Sequence, residues 1–144
     1  MQITAFTDGA VRGNGGPGRV GMGVVLLHKE GTQVLHHKEF SHAEDREYAT
    51  NNYAELMAIK YAAEGVLPEM REKVDLTIIS DSEWCIKAIE GKYRISKNVE
   101  LVLEIRNLLS TFRSWKFQWV RGHAGNEFNE RANDLAQEAA GTAR

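Results

Sequence analysis

Two segments of the chain run from apolar residues into an acid followed by a small residue: Phe6-Thr7-Asp8-Gly9 and Ile79-Ser80-Asp81-Ser82. Each reads as a strand ending at a carboxylate. If the strands are parallel neighbours, Asp8 and Asp81 share the sheet edge where open α/β sheets place their sites. A third acid, Glu55, sits in Tyr53-Ala54-Glu55-Leu56-Met57-Ala58, boxed by small and apolar neighbours rather than by surface residues. Three converging carboxylates repel one another unless a cation compensates. Oxygen ligands at that charge density suit Mg²⁺, with Mn²⁺ as a substitute, rather than Zn²⁺. Two such ions can activate a water and stabilise the leaving oxygen of a phosphodiester. Taken singly, the acids have plainer readings: a turn at Asp8-Gly9, a helix cap at Asp81, a surface ion pair at Glu55. Their joint placement favours a site.

A fourth element is His123, between Gly122 and Ala124-Gly125 just past an apolar strand. A loop histidine can shuttle protons near neutral pH. His28, His36, His37 and His42 read as structural or merely exposed, and the adjacent pair His36-His37 points to opposite strand faces. Cys85 lies in the apolar stripe Trp84, Cys85, Ala88, Ile89 and reads as core.

The elements that position these residues follow from periodicity. Gln2 to Thr7 alternates as a strand, Gly13 to Gly18 is a turn, and Val20 to His28 is a second strand. Gly21 and Gly23 in that strand permit close packing. Gly31-Thr32 turns into a third strand over Gln33 to Ser41, and the polar run His42 to Tyr48 reads as a loop. Asn51 to Gly65 is helical, capped at Thr50 or Asn51 and stopped by Gly65 with Pro68. Val74 to Ile79 is a buried strand, Glu83 to Glu90 a helix capped by Ser82, and Lys97 to Phe112 an amphipathic helix. Trp115 to Val120 is the last strand and Glu127 to Ala140 the last helix. The order predicts an α/β fold with one mixed sheet flanked by helices. Three antiparallel strands come first, then two that run parallel to the first.

The chain has 144 residues, 42% hydrophobic and 26% charged, which fits one soluble domain. Charge interrupts every apolar run before it reaches membrane-spanning length, and the N-terminus shows no signal-peptide pattern. A single cysteine fits a reducing, cytoplasmic setting. The formal net charge of −2 counts mildly against a nucleic-acid partner, although clustered metal-binding acids lower that total themselves.

Several motifs, each occurring once, are spread along nearly the whole chain. They are Thr7-Asp8-Gly9-Ala10, Gly13 to Gly18, Thr50-Asn51-Asn52-Tyr53-Ala54-Glu55-Leu56, Asp81-Ser82, Gly122-His123-Ala124-Gly125 and Asn129-Glu130-Arg131. As a set they closely resemble the bacterial type 1 ribonuclease H family. The resemblance implies a five-stranded ribonuclease H fold and one catalytic domain over residues 1–144. It implies cleavage of the RNA strand of an RNA–DNA hybrid by a monomer, giving 5′-phosphate and 3′-hydroxyl ends. By position, Asp8, Glu55 and Asp81 correspond to metal-binding carboxylates, His123 to a mobile histidine and Glu130 to the acid beside it. Asn14, Asn51 and Asn52 correspond to contacts with the sugar edges, where an amide can both donate to and accept from a 2′-hydroxyl. Thr50 and Asn98 correspond to a pocket for a DNA-strand phosphate.

The chain departs from that family at three places. A further acid expected after Glu130 is replaced by Asn133, with Asp134 following. The two lie on opposite flanks of the last helix, so neither can replace the other. Asn133 takes the metal-side position and Asp134 faces solvent. Asn133 then offers metal a carbonyl oxygen without charge, weakening one metal position without abolishing catalysis. Second, the interval between Asp81 and His123 lacks the basic helix of many relatives and keeps only Lys92, Arg94 and Lys97. Weaker hybrid binding is expected, with few cuts per encounter in a long-tract processivity assay. Third, Tyr48 stands where the phosphate pocket often has an arginine, leaving Arg46 to reach in.

Other readings are a hybrid-binding module that has lost catalysis and a nuclease of the same fold acting on another nucleic acid, such as a DNA junction. A domain cut from a larger polyprotein is a further one. Survival of Asp8, Glu55, Asp81 and His123 argues against the first, and the asparagines at 14, 51 and 52 against the second.

Overall fold

The computed structural model describes residues 1–122 and 125–142. Five strands form one sheet in the order β3-β2-β1-β4-β5. They are β1 (Gln2–Arg12), β2 (Gly16–Glu30), β3 (Gln33–Ala49), β4 (Asp75–Ser80) and β5 (Ser114–Trp119). The first three are an antiparallel meander, while β4 runs parallel to β1 and β5 parallel to β4. Helices α1 (Asn51–Glu64), α2 (Glu83–Glu90) and α3 (Val99–Leu109) cover one face and α4 (Glu127–Ala140) the other. Among the described residues no helix is long and apolar enough to cross a membrane.

Side-chain alternation splits the core between the two faces. Ala5, Val24, Leu26, Leu76 and Ile78 pack against α1, α2 and α3 around Leu56, Ile59, Ile89 and Ile105. Phe6, Val25, Leu27 and Ile79 pack against α4 through Ala132 and Leu135. A Cβ at Gly21 would collide with the Ala136 carbonyl, and one at Gly23 with that of Ala132. The two glycines therefore set how closely α4 lies on β2.

Strand lengths depart from the sequence expectation. Strand β1 does not end at Asp8-Gly9; it continues to Arg12, because β2 pairs with it as far as Arg12–Arg19. The run His42 to Tyr48 is strand, not loop. It belongs to the edge strand β3, whose pairing with β2 extends to Gly16–Ala49. Most of β3 is exposed, so it carries little of the apolar alternation that marks a half-buried strand. Helix α3 is shorter than expected, and the irregular residues 91–98 before it end at Asn98, whose φ of 58° is left-handed.

Candidate active site

Strands β1 and β4 pair through Phe6–Ile79. Beyond that point β1 stays with β2, while β4 ends at Ser80 and the chain turns into α2. The two strands part there, with Asp8 within β1 and Asp81 just past the end of β4. Both follow the alternation of Phe6 and Ile79, which places them on the α4 face. Glu55 arrives from α1 on the opposite face. Its approach depends on Gly9: a Cβ there would lie 2.5 Å from the Ala54 carbonyl carbon and the Glu55 nitrogen. Thr50 caps α1 by accepting from the Tyr53 N–H at 3.2 Å. That cap fixes the start of the helix that carries Glu55.

One oxygen from each of Asp8, Glu55 and Asp81 lies within 4.8 Å of the other two. Asp8 is 5% and Glu55 3% exposed, so neither is a surface acid. The N-cap of α2 is Ser82, which accepts from the Cys85 N–H at 3.3 Å, so Asp81 is not the cap. The Gly9 N–H donates to Asp8 Oδ1 at 2.9 Å and to Glu55 Oε1 at 3.1 Å. Among the described residues, Glu55 Oε2 is buried with no hydrogen-bond partner. Burial pushes the Glu55 carboxyl well above its ordinary range, and the charges of Asp8 and Asp81 push the same way. Three carboxylates gathered within 4.8 Å, one of them buried with an oxygen that no described residue satisfies, are the environment that a hard divalent cation compensates, so the residues fit such an ion.

The Asp81 backbone is pinned from β5. Trp119 Nε1 donates to the Asp81 carbonyl at 3.1 Å, and the Val120 N–H donates to that of Ser80 at 3.0 Å. Trp119 was not among the residues singled out from sequence; an aromatic at the end of the strand beside β4 is the signal that could have found it. Gly122 stands two residues beyond Val120, and a Cβ there would lie 3.0 Å from Asp81 Oδ2. The loop that leads into His123 therefore starts against the cluster. His123 itself lies outside the described residues. Glu130 is exposed in the first turn of α4.

Asn133 reaches the cluster from α4, while Asp134 is exposed. Asn133 Nδ2 donates to Asp8 Oδ2 at 2.7 Å, and Asn133 Oδ1 accepts from Gln137 Nε2 at 3.2 Å. The amide thus presents N–H, not the carbonyl oxygen expected from sequence, to the carboxylates. Gln137 was missed; its signal is the four-residue spacing that places it one helical turn beyond Asn133.

A cleft of about 640 Å³ is lined by Thr50 and Asn52 at the start of α1, the helix that carries Glu55, by Trp84 and Asn98, and by Arg46, Arg94 and Lys97. Asn14 and Asn51 meet near it, with Asn14 Oδ1 accepting from the Asn51 N–H at 3.3 Å. Arg46 stacks 3.6 Å over the Tyr53 ring and pairs with Glu44 at 2.8 Å. Tyr48 also lines the cleft. Lys92 is paired with Glu90, so of the three cations retained before α3 only Arg94 and Lys97 face the cleft. Asn98 makes no side-chain cap despite its position at the start of α3. Cys85 is buried, its thiol is pushed up to about 12 by burial, and it contacts the Asn52 carbonyl. It is core, not a nucleophile.

This mixed sheet, with acids gathered where β1 and β4 separate, has the architecture of a ribonuclease H-like hydrolase. The sequence model of the RNase H family matches residues 1–141, and the chain belongs to that family. It is 39% identical over 152 aligned residues to the ribonuclease H of Desulforamulus reducens, covering 96% of this chain and 87% of that one. Its fold is similar to the crystal structure of RNase H1 from the halophilic archaeon Halobacterium salinarum NRC-1. The TM-score is 0.77 with 28% identity, over 99% of this chain and 100% of that one. It is also similar to LC11-RNase H1 in complex with an RNA/DNA hybrid, with a TM-score of 0.72 and 28% identity over 96% of each chain.

Proposed function

We propose that residues 1–144 form one catalytic domain that hydrolyses the RNA strand of RNA–DNA hybrids. The observation that carries this reading is the Asp8, Glu55 and Asp81 cluster, within 4.8 Å and with a Glu55 oxygen that has no hydrogen-bond partner among the described residues; a separate cleft lined with amides and cations supports it. The similarity to a ribonuclease H held on a hybrid supports the choice of substrate.

Asp8, Glu55 and Asp81 hold divalent cations, with Asn133 at the side of Asp8. When bound there, two Mg²⁺ ions, or Mn²⁺ in their place, supply an activated water and charge compensation for the departing 3′-oxygen. The chain's own groups orient the strands. Asn14, Asn51 and Asn52 read the 2′-hydroxyls of the RNA strand, since an amide both donates and accepts. Thr50, Asn98 and the cations Arg46, Arg94 and Lys97 take a phosphate of the DNA strand. The left-handed Asn98, freed from capping, suits that role. His123, following Gly122, takes or delivers a proton at the leaving oxygen, and Glu130 tunes it. Water attacks phosphorus, the P–O3′ bond breaks, and the products are a 5′-phosphate and a 3′-hydroxyl.

The test is cleavage of an end-labelled RNA–DNA hybrid beside duplex DNA and duplex RNA, with Mg²⁺, Mn²⁺ or EDTA. Cutting of only the hybrid's RNA strand, only with metal, is the expected result. Hybrid binding without cutting by either metal would replace this reading with a binding module.

A further inference from the structure

We propose that Gln137 is a positioning residue that fixes the orientation of the Asn133 amide, and so determines which of its two polar atoms faces the carboxylate cluster. The inference rests on the reading of that cluster as a divalent-cation site.

An asparagine beside an ionised carboxylate has one good arrangement. Asp8 can only accept, so the Asn133 NH₂ must point at it, as the 2.7 Å bond from Nδ2 to Asp8 Oδ2 records. That choice turns Oδ1 away from the cluster. A half-buried carbonyl oxygen turned away from the cluster needs another donor. Gln137 provides one: its Nε2 donates to Oδ1 at 3.2 Å from one turn further along α4. The Gln137 backbone is held in turn, because its carbonyl accepts from the N–H groups of Gly141 and Thr142 at the end of the helix.

The series Gln137, Asn133, Asp8 is therefore a directed chain of donors that ends on a carboxylate of the cluster. It holds Asp8 in place without a cation. It also opposes any role of Asn133 as a ligand, because presenting Oδ1 to a cation requires the amide to turn and break both bonds. Gln137 thereby lowers the affinity of the cation position next to Asn133 while keeping the metal-free cluster ordered. Removing its donor should lower the cost of turning the amide.

The experiment uses the full chain and Mn²⁺ as the probe. Calorimetric titration compares the wild type with Gln137→Met, which keeps length and helix propensity but cannot donate. A rise in Mn²⁺ affinity of about fivefold is expected, on the scale of one hydrogen bond. The same substitution in an Asn133→Ala background should leave affinity unchanged. The side-chain amide resonances of Asn133, assigned by NMR in metal-free protein, should shift on Gln137→Met.

Affinity that is unchanged by Gln137→Met, or a gain that persists in the Asn133→Ala background, would overturn the proposal. A wild type that binds no Mn²⁺ would instead overturn the cation-site reading. In that case the NMR measurement alone decides the clamp: immobile Asn133 resonances reject it, and shifted ones retain it.

Discussion

Glu55→Gln is expected to lower hybrid cleavage at saturating Mg²⁺ by about a thousandfold, roughly 4 kcal/mol of transition-state stabilisation. The same substitution should make the metal-free protein more stable. The two effects have one cause. Glu55 is 3% exposed, its Oε2 has no partner among the described residues, and its neighbours Asp8 and Asp81 carry the same charge. Ionised Glu55 is useful only to a cation; without one it is a buried repulsive charge. A glutamine keeps the shape, removes the charge and adds an N–H that Asp8 can accept. The gain should be on the order of 2 kcal/mol, the scale of a buried polar group left unsatisfied.

The pH dependence gives the sign independently. The Glu55 carboxyl is raised above its ordinary value of 4.5, mainly by burial and then by Asp8. A raised folded-state value means that the native protein holds this proton more tightly than the unfolded chain does. The resulting stability is fully present below 4.5 and is lost as pH rises through the folded-state value. Thermal melts in EDTA should therefore show wild type and Glu55→Gln close together in mild acid and diverging as pH rises, with the variant higher. Mg²⁺ should raise the wild-type melting temperature above neutral pH, because a ligand that binds only the native state stabilises it. Parallel melting curves across pH, or an active Glu55→Gln protein, would remove Glu55 from the cation site.

The two helices with clean signals were readable from sequence to the residue: α2 between Ser82 and Gly91, and α4 between Asn126 and Gly141. Each has a side-chain cap at its start and a left-handed glycine at its end. The strand directions were also legible, because helices between β1, β4 and β5 leave parallel pairing as the natural closure. The far end of β3 was not. Its residues are polar and exposed on an edge, and only the partner β2 reveals them as strand. The acids of the site were visible only as a set: Asp8, Glu55 and Asp81 each have a plainer reading alone, and it is their placement at two strand ends and on one helix that marks a site. The side of Asn133 was legible from helical phase, but the direction of its amide was not. That direction depends on Asp8 and Gln137, which are 125 and 4 residues away in sequence. Periodicity tells which face a residue occupies; it does not tell which atom of an amide faces which neighbour.

Asn133→Asp is the substitution expected to strengthen cation binding most. The side chain already reaches the cluster, since its Nδ2 lies 2.7 Å from Asp8 Oδ2, so the new carboxylate needs no backbone movement to join Asp8, Glu55 and Asp81. Added negative charge at that distance should raise Mg²⁺ affinity about 10- to 100-fold, roughly 1.4 to 2.8 kcal/mol. The gain stays well below a full Coulomb term because the cluster remains partly open to water through Asp81. The rate at limiting Mg²⁺ should rise with it. The metal-free protein should weaken, by about 2 kcal/mol, because a charge-assisted bond to Asp8 is exchanged for repulsion. Gln137 changes role in this variant: its donor now meets a carboxylate and stabilises the residue in a ligand-ready position instead of holding it away. Calorimetry, melts in EDTA and a rate profile against Mg²⁺ test these together. If metal dependence and rate are both unchanged, Asn133 stands outside the cation site, and its bond to Asp8 serves the fold alone.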